Sequence, residues 1–376
     1  MLIQIHMLQN YAPANLNRDD TGSPKDAMFG GFLRGRISSQ CLKRSIRKSP
    51  ALEEAFKAEG LLGIRTKRLP GLIEIELKAL GVDAKTIQAI VERVPEIGKK
   101  AEKKAEGSEE DEPATEDNGA TSKAETRQLI FIGANELRPL AERLLKLYKE
   151  SKNWKKEELE KSLGNSSPRS VDIALFGRMT TSETFENVSA ASQVAHAIST
   201  NALTQEFDYY TALDDISLQS GAGMIGDVEF NSSTYYKYLN VHWEELLKNL
   251  GGDVTVATQA ILALVNAAAT AQPSGKQNSF AAHNLPDLVL VEVSEKNLPI
   301  SYANAFLRPA RANNERTLTE ASAAQLSDYM TRINKMYKPT GQRAFAALIE
   351  CNLPGAQQQE SLDDLQSWLA TQLPKE

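Results

Sequence analysis

The sequence predicts an α+β fold of the split βαβ type, interrupted by long insertions. Three observations predict it. The chain opens on a strand, Leu2 to Leu8, in which Ile3, Ile5 and Met7 alternate with Gln4, His6 and Leu8, and a helix starting at Ser38 or Ser39 follows it. Residues Asp227 to Val241 alternate with Phe230, Tyr235, Tyr236 and Tyr238, and lead into an alanine-rich helix, Val254 to Thr270. The clearest strand, Leu288 to Val293, comes after that helix.

Taken in order, Leu2–Leu8 reads as a half-buried strand, and Asn10–Gly22 has the Asn, Pro and Asp of a loop. Gly30-Gly31 marks a turn, and Arg34–Ile37 a short strand. The helix to Lys48 sorts its side chains at about 100° per residue. Gln40, Lys43, Arg44, Arg47 and Lys48 share one arc; Leu42 and Ile46 lie opposite. Residues 51–98 read as mostly helical, and 99–126, with little to bury, as disordered. Helical patterning resumes over 127–161 and breaks at Gly164–Pro168. Val171–Phe176 reads as a strand and Ala190–Thr200 as a helix. Gln272–Ser279 is a Gly/Pro loop, and the last eighty residues mix helices with a strand near Arg343–Cys351. No internal repeat is visible.

Composition narrows the function classes. The chain has 376 residues and a hydrophobic fraction of 41%, enough for a large core. No apolar run reaches the roughly 18–20 residues of a bilayer span, and the start lacks the pattern of a secretory signal. Cys41 and Cys351 are the only cysteines, which points to a reducing cytoplasm and excludes a multi-cysteine zinc site. The four histidines have no ligand spacing, so neither a metal nor a cofactor is expected.

The net charge of −6 conceals a basic region. Residues 1–50 hold eight Lys/Arg against three acids, a net +5, whereas 107–126 hold seven acids against Lys123, a net −6. Local charge decides whether a polyanion binds. The basic helix face does not stand alone: Arg18 and Lys25 precede it in the loop, Arg34 and Arg36 in the strand, and Ser38, Ser39 and Gln40 lie at its start. Cations supply salt-dependent attraction to phosphate, and hydroxyls, amides and helix N-terminal N–H groups add neutral donors.

Two other motifs have plainer readings. Gly221-Ala222-Gly223-Met224-Ile225-Gly226 fits G-x-G-x-x-G, but a polar stretch precedes it and a strand follows, so it is read as a flexible glycine loop. Asp19-Asp20 could form a carboxylate pair for metal or acid–base work. Adjacent residues rarely converge on one atom, and Asx-type turns account for such loops better.

Several motifs strongly resemble the Cascade backbone subunit of type I-E CRISPR systems, the CasC family. They begin with Asn15-Leu16-Asn17-Arg18-Asp19-Asp20, Ala27-Met28-Phe29-Gly30-Gly31 and Arg36-Ile37-Ser38-Ser39-Gln40-Cys41-Leu42-Lys43-Arg44. Val171 to Met179, Gln193 to Ile198, Asp214-Asp215, Gly275 to Asn278 and Ala303 to Phe306 continue it. Residues 51–165 carry no matching motif.

The resemblance implies an RRM-like (ferredoxin-like) palm with inserted helical fingers and a long thumb loop. The palm would take 1–57 and 227–376, the fingers 58–186, and the thumb 190–226. It implies a non-catalytic subunit, several copies of which line a crRNA, hold its backbone and kink it so that segments pair with target DNA. The implied partners are crRNA, target DNA, other copies of itself, and the large, small and guide-end-capping Cascade subunits, without a membrane. Arg18, Lys25, Ser38, Gln40, Lys43 and Arg44 would hold guide phosphates; Arg47 joins them from helix geometry. Met179 would be an apolar wedge beside a displaced nucleotide, against the plain alternative of a core methionine. Lys276 and Gln277 would touch RNA or target strand. Phe32-Leu33 stands where family members carry more basic residues. A scaffold for any guide should hold backbone and shape and leave base edges to pairing.

The competing readings are a backbone-type endoribonuclease using Asp19, Asp20 or Asp26, and a stand-alone RNA-binding protein. No histidine or ordered carboxylate set accompanies those aspartates in the sequence.

Overall fold

The computed structural model describes residues 1–96, 125–126, 129–151, 170–180, 185–213 and 222–375. The chain divides into two compact units. One comprises Met1–Ala55, Ser192–Glu244 and Val254–Glu376; the other comprises Phe56–Ala191 and Glu245–Asp253.

The first unit is built on a mixed sheet. Its path is β12 (Gln357–Gln358), β11 (Gln342–Ala347), β10 (Leu288–Ser294), β1 (Leu2–Ala14), β9 (Ala222–His242), β7 (Ala197–Ser199), β3 (Phe32–Ile37) and β2 (Asp26–Phe29). The short β6 (Ser192–Val194) and β8 (Glu206–Leu213) also pair with β9. Antiparallel β10 and β9 flank β1, with Ile5 opposite Val291 on one side and Leu239 on the other. The order β10-β1-β9-β7 is compatible with a split βαβ core: α1 (Ser39–Arg47) follows β1, and the helix Val254–Thr270 joins β9 to β10.

The expectation for β1 needs correcting: it is a central strand, and Leu2 through Gln9 are all buried. Its polar positions survive burial because tyrosines of the neighbouring strand β9 supply partners. Tyr238 donates to Gln4 at 2.8 Å, and His6 Nδ1 stands 2.8 Å from the Tyr236 hydroxyl. The His6 ring stacks on Tyr302 at 4.7 Å. That face continues into Leu8, Leu290, Phe306, Leu326, Met330 and Phe345.

The second unit is mainly helical. Leu69, Ile73 and Leu77 of the helix Leu69–Ala79 pack with Ile87 and Ile90 of the helix Ala84–Val91. Leu137, Leu140 and Leu144 of the helix Ala134–Glu150 complete that core. A small sheet pairs β4 (Gly63–Thr66) with β5 (Ile130–Gly133). Arg178 clasps Glu136 with contacts of 2.6 and 3.1 Å, both side chains buried. Such a fork-to-carboxylate pair fixes direction as well as charge.

Several elements differ from the sequence expectation. Val171–Phe176 is a buried helix, because a six-residue apolar run carries no decisive period, and Gly177 at φ 79° ends it. Ala190–Thr200 contains strands β6 and β7 in place of the expected helix. Ala222–Gly226 is β strand paired with β8, which corrects the glycine-loop reading. A Cβ on Gly226 would stand 2.5 Å from the Tyr210 hydroxyl, so this glycine leaves room for the opposing ring. The helices expected over 152–161 and the disorder expected over 99–124 lie outside the described residues.

Candidate nucleic-acid interface

The loop before α1 is built by its asparagines. Buried Asn15 donates to the Gly22 and Glu229 carbonyls, each at 3.0 Å. Asn17 Oδ1 accepts from Ser38 N at 2.8 Å, while its carbonyl accepts from Lys25 N at 2.8 Å. Those bonds tie both ends of the Arg18-bearing loop to the helix start. Within it, Asp19 accepts from Thr21 N, Thr21 Oγ1 and Ser23 N at 2.7–3.0 Å. These bonds, led by the Thr21 hydroxyl, hold its carboxyl below its ordinary value. Asp19 therefore makes the Asx-type turn expected from the sequence.

Helix α1 presents its two sides as its sequence periodicity implies. Leu42 and Ile46 are buried; Gln40, Arg44 and Lys48 are exposed, with Lys43 and Arg47 half-buried between them. Burial lowers the Lys43 pKa. Ser38 is the N-cap: its hydroxyl accepts from Cys41 N at 3.2 Å and the residue is 3% exposed. Its hydroxyl oxygen caps the helix, and its N–H is held by Asn17. The helix N-terminus is also less open than its sequence suggests, because Ser39 N–H meets His196 Nδ1 at 3.3 Å.

Arg34 and Arg36 separate completely. The side chain of Arg34 is 0% exposed and sends Nη1 to the carbonyls of Ser199 at 3.0 Å and Thr200 at 2.8 Å, and Nη2 to Phe306 at 2.6 Å. Counting it with the surface cations is corrected by this burial. Arg36 faces outward, with Nε on the Asp26 carbonyl at 2.9 Å and Nη1 3.3 Å from His196 Nδ1.

The chain folds a distant loop onto this surface. A Cβ on Gly275 would fall 2.2 Å from the Leu16 carbonyl oxygen, so the Gly275-Lys276 turn lies against the backbone beside Arg18. Tyr11 and Gln272 fasten the loop through a 2.7 Å bond, and Asn284 Oδ1 accepts from Ala12 N at 3.0 Å. Lys276 takes a left-handed conformation, φ 49°. Gln277 is turned inward, its amide donating to the Pro273 and Ala282 carbonyls at 3.0 and 3.3 Å. Lys276 and Gln277 are both half-buried, and the Gln277 amide is engaged within its own loop.

Met179 belongs to the second unit and is 95% exposed, which excludes the core-methionine alternative. Sequence reasoning gave no role to His196 or Lys237. Lys237 is 4% exposed beneath Leu42 and Ile46 of α1, and burial lowers its pKa to about 7. Its only sequence signal was a lysine at an inward position of an alternating strand. Among the described residues, no group of three or more His, Cys, Asp or Glu side chains is placed to hold a metal.

The fold and site define an α+β protein that displays a cationic helix face, flanked by two fixed loops, on a large mixed sheet. The chain belongs to the CT1975-like protein family, whose model matches residues 3–372. A solved chain of a CRISPR RNA-guided surveillance complex in a pre-nicking state is 29% identical, with 99% of each chain covered and a TM-score of 0.78. A chain of another CRISPR RNA-guided surveillance complex, 24% identical with 99% of each chain covered and a TM-score of 0.62, shares the fold. No curated protein sequence matches.

Proposed function

We propose that this protein is a type I-E Cascade backbone subunit that holds a crRNA by its phosphates and does not cleave it. Its likeness along 99% of its length to a chain of an RNA-guided surveillance complex supports this reading. The observation that carries it is the row Gln40, Lys43, Arg44 and Arg47 on α1, on the side away from buried Leu42 and Ile46, with Arg18 and Lys276 brought to neighbouring backbone. Such donors recognise a repeating phosphate chain and are indifferent to base sequence.

In this reading the first unit is the palm, the β8–β9 ribbon the thumb, and the second unit the fingers. Several copies line one guide. Phe207, Tyr209 and Ile225 are exposed apolar side chains on the ribbon, as a segment that meets a neighbouring copy or a splayed base requires. Met179 supplies an exposed apolar tip beside the kinked strand. Target DNA pairs with the guide, and the remaining Cascade subunits complete the particle in the cytoplasm. The nuclease alternative is disfavoured by Asp19, whose Oδ1 already accepts three hydrogen bonds within its own turn.

The test is guide binding across salt concentrations for the wild type and for Lys43→Ala with Arg47→Ala. Removing one phosphate-neutralising cation should reduce the salt slope by about 0.7 for a single strand. An unchanged affinity and slope would refute this assignment of the interface.

A further inference from the structure

His196 is the feature of this surface that phosphate binding alone does not explain. It lies between β6 and β7, and its Nδ1 is 3.3 Å from both Ser39 N and Arg36 Nη1. A backbone N–H can only donate, as can a guanidinium, so Nδ1 faces two donors with its lone pair. The neutral ring therefore carries its proton on Nε2. It occupies the place that an anionic oxygen would take between a helix N-terminus and an arginine. The charged groups acting on the ring come from two other segments: Arg36 on β3, and Lys25 in the loop before β2.

We propose that His196 is a proton-operated plug on an anion subsite formed by Arg36, Lys25 and the Ser39 N–H. The inference rests on the RNA-binding reading above and adds a regulator to it. With Nδ1 unprotonated, the imidazole satisfies Ser39 and Arg36 internally. Taking one proton from solvent converts that acceptor into an N–H. Three donors then face one another, and the ring must turn away. The vacated acceptor position fits a non-bridging phosphate oxygen, which receives Ser39 N–H and Arg36 while the imidazolium adds a third positive charge.

The sign follows from the same contacts. Burial, and then the charges of Arg36 and Lys25, lower the His196 pKa in the free protein. A phosphate in the subsite reverses that electrostatic effect and raises it. Between the two values, binding takes up a proton, so affinity for RNA rises as pH falls.

The experiment measures binding of a short unstructured single-stranded RNA by the full chain at constant ionic strength, from about pH 5.5 to about pH 8. The wild type should bind several-fold more tightly at the acid end, with a limiting slope of about one proton. His196→Gln, which keeps an acceptor but cannot titrate, should bind with a flat profile, as should His196→Ala. Lys43→Ala should weaken binding yet retain the slope. Circular dichroism checks that each variant is folded. His196→Arg supplies a permanent charge and should bind tightly at every pH, so a folding defect in one variant leaves the test intact. A pH slope that persists in His196→Gln, or a flat wild-type profile with binding intact, overturns the plug. Failure to bind RNA at any pH instead overturns the RNA-binding reading beneath it.

Discussion

The guanidinium of Arg34 donates from Nη2 to the Phe306 carbonyl at 2.6 Å, across 272 residues of sequence. Nη1 serves Ser199 and Thr200, so one buried cation fastens β3 and β7 to the segment around Phe306. Desolvation lowers its pKa, but an arginine stays charged at any working pH. Arg34→Met removes the donor from several carbonyls at once. Each buried unsatisfied group costs about 1–3 kcal/mol. The expected loss of about 3 kcal/mol or more would appear as a lower denaturation midpoint in urea. Lys at this position should not rescue, because it cannot reproduce the fork.

A second prediction concerns acid stability. Burial pushes the Glu292 carboxyl up, but neighbouring His6, Arg343 and Tyr302 outweigh it and hold the pKa below its ordinary value. Arg343 Nε stands 2.8 Å away and the Tyr302 hydroxyl donates at 2.8 Å, whereas His6 Nε2, at 3.8 Å, is beyond hydrogen-bond length. A depressed carboxyl contributes stability above its unfolded pKa and loses it as pH falls through the folded one. That loss should begin below the ordinary value of 4.5. Thermal melts of Glu292→Gln should show a lower Tm near neutrality and a smaller further fall below that pH. A parallel fall in both proteins would contradict the assignment.

Gly275→Ala tests the placement of Lys276. Its new Cβ would collide with the Leu16 carbonyl, and backbone cannot yield as a side-chain tip does. Overpacking of this kind costs about 1–3 kcal/mol. RNA affinity should fall together with stability, whereas Lys276→Ala should lower affinity alone. Wild-type affinity in both variants would remove this loop from the interface.

Met179→Ala should leave the Tm unchanged, because an exposed side chain away from a packed feature shifts stability by no more than about 0.5 kcal/mol. In the assembled particle it should weaken the periodicity of nuclease protection along the guide. An unaltered protection pattern would count against its role as a wedge.

The sequence was most legible where one periodicity met one burial pattern. The apolar run of β10 and the opposed arcs of α1 both appear in the structure, as does the helix Val254–Thr270. It was least legible where an element was short. Val171–Phe176 and Ser192–Ser199 were exchanged between helix and strand, because six or eight residues give too few turns or alternations to separate the two periods. At the site, the cationic helix face was readable from spacing. The inward turn of Arg34 was not, because its partners are backbone carbonyls brought by distant segments, nor was that of Gln277, whose partners are carbonyls of its own irregular loop. His196 escaped notice for the same reason: its partners, Arg36 and Ser39, lie about 160 residues away and carry no spacing signal.

The most direct test of the central claim is the mass of the particle formed when the protein is expressed with guides of graded length. As a backbone subunit, it should co-purify with RNA, and the particle mass should rise by one 41.3 kDa protomer for each fixed increment of guide. A constant mass corresponding to one protein chain per RNA, whatever the guide length, would contradict it.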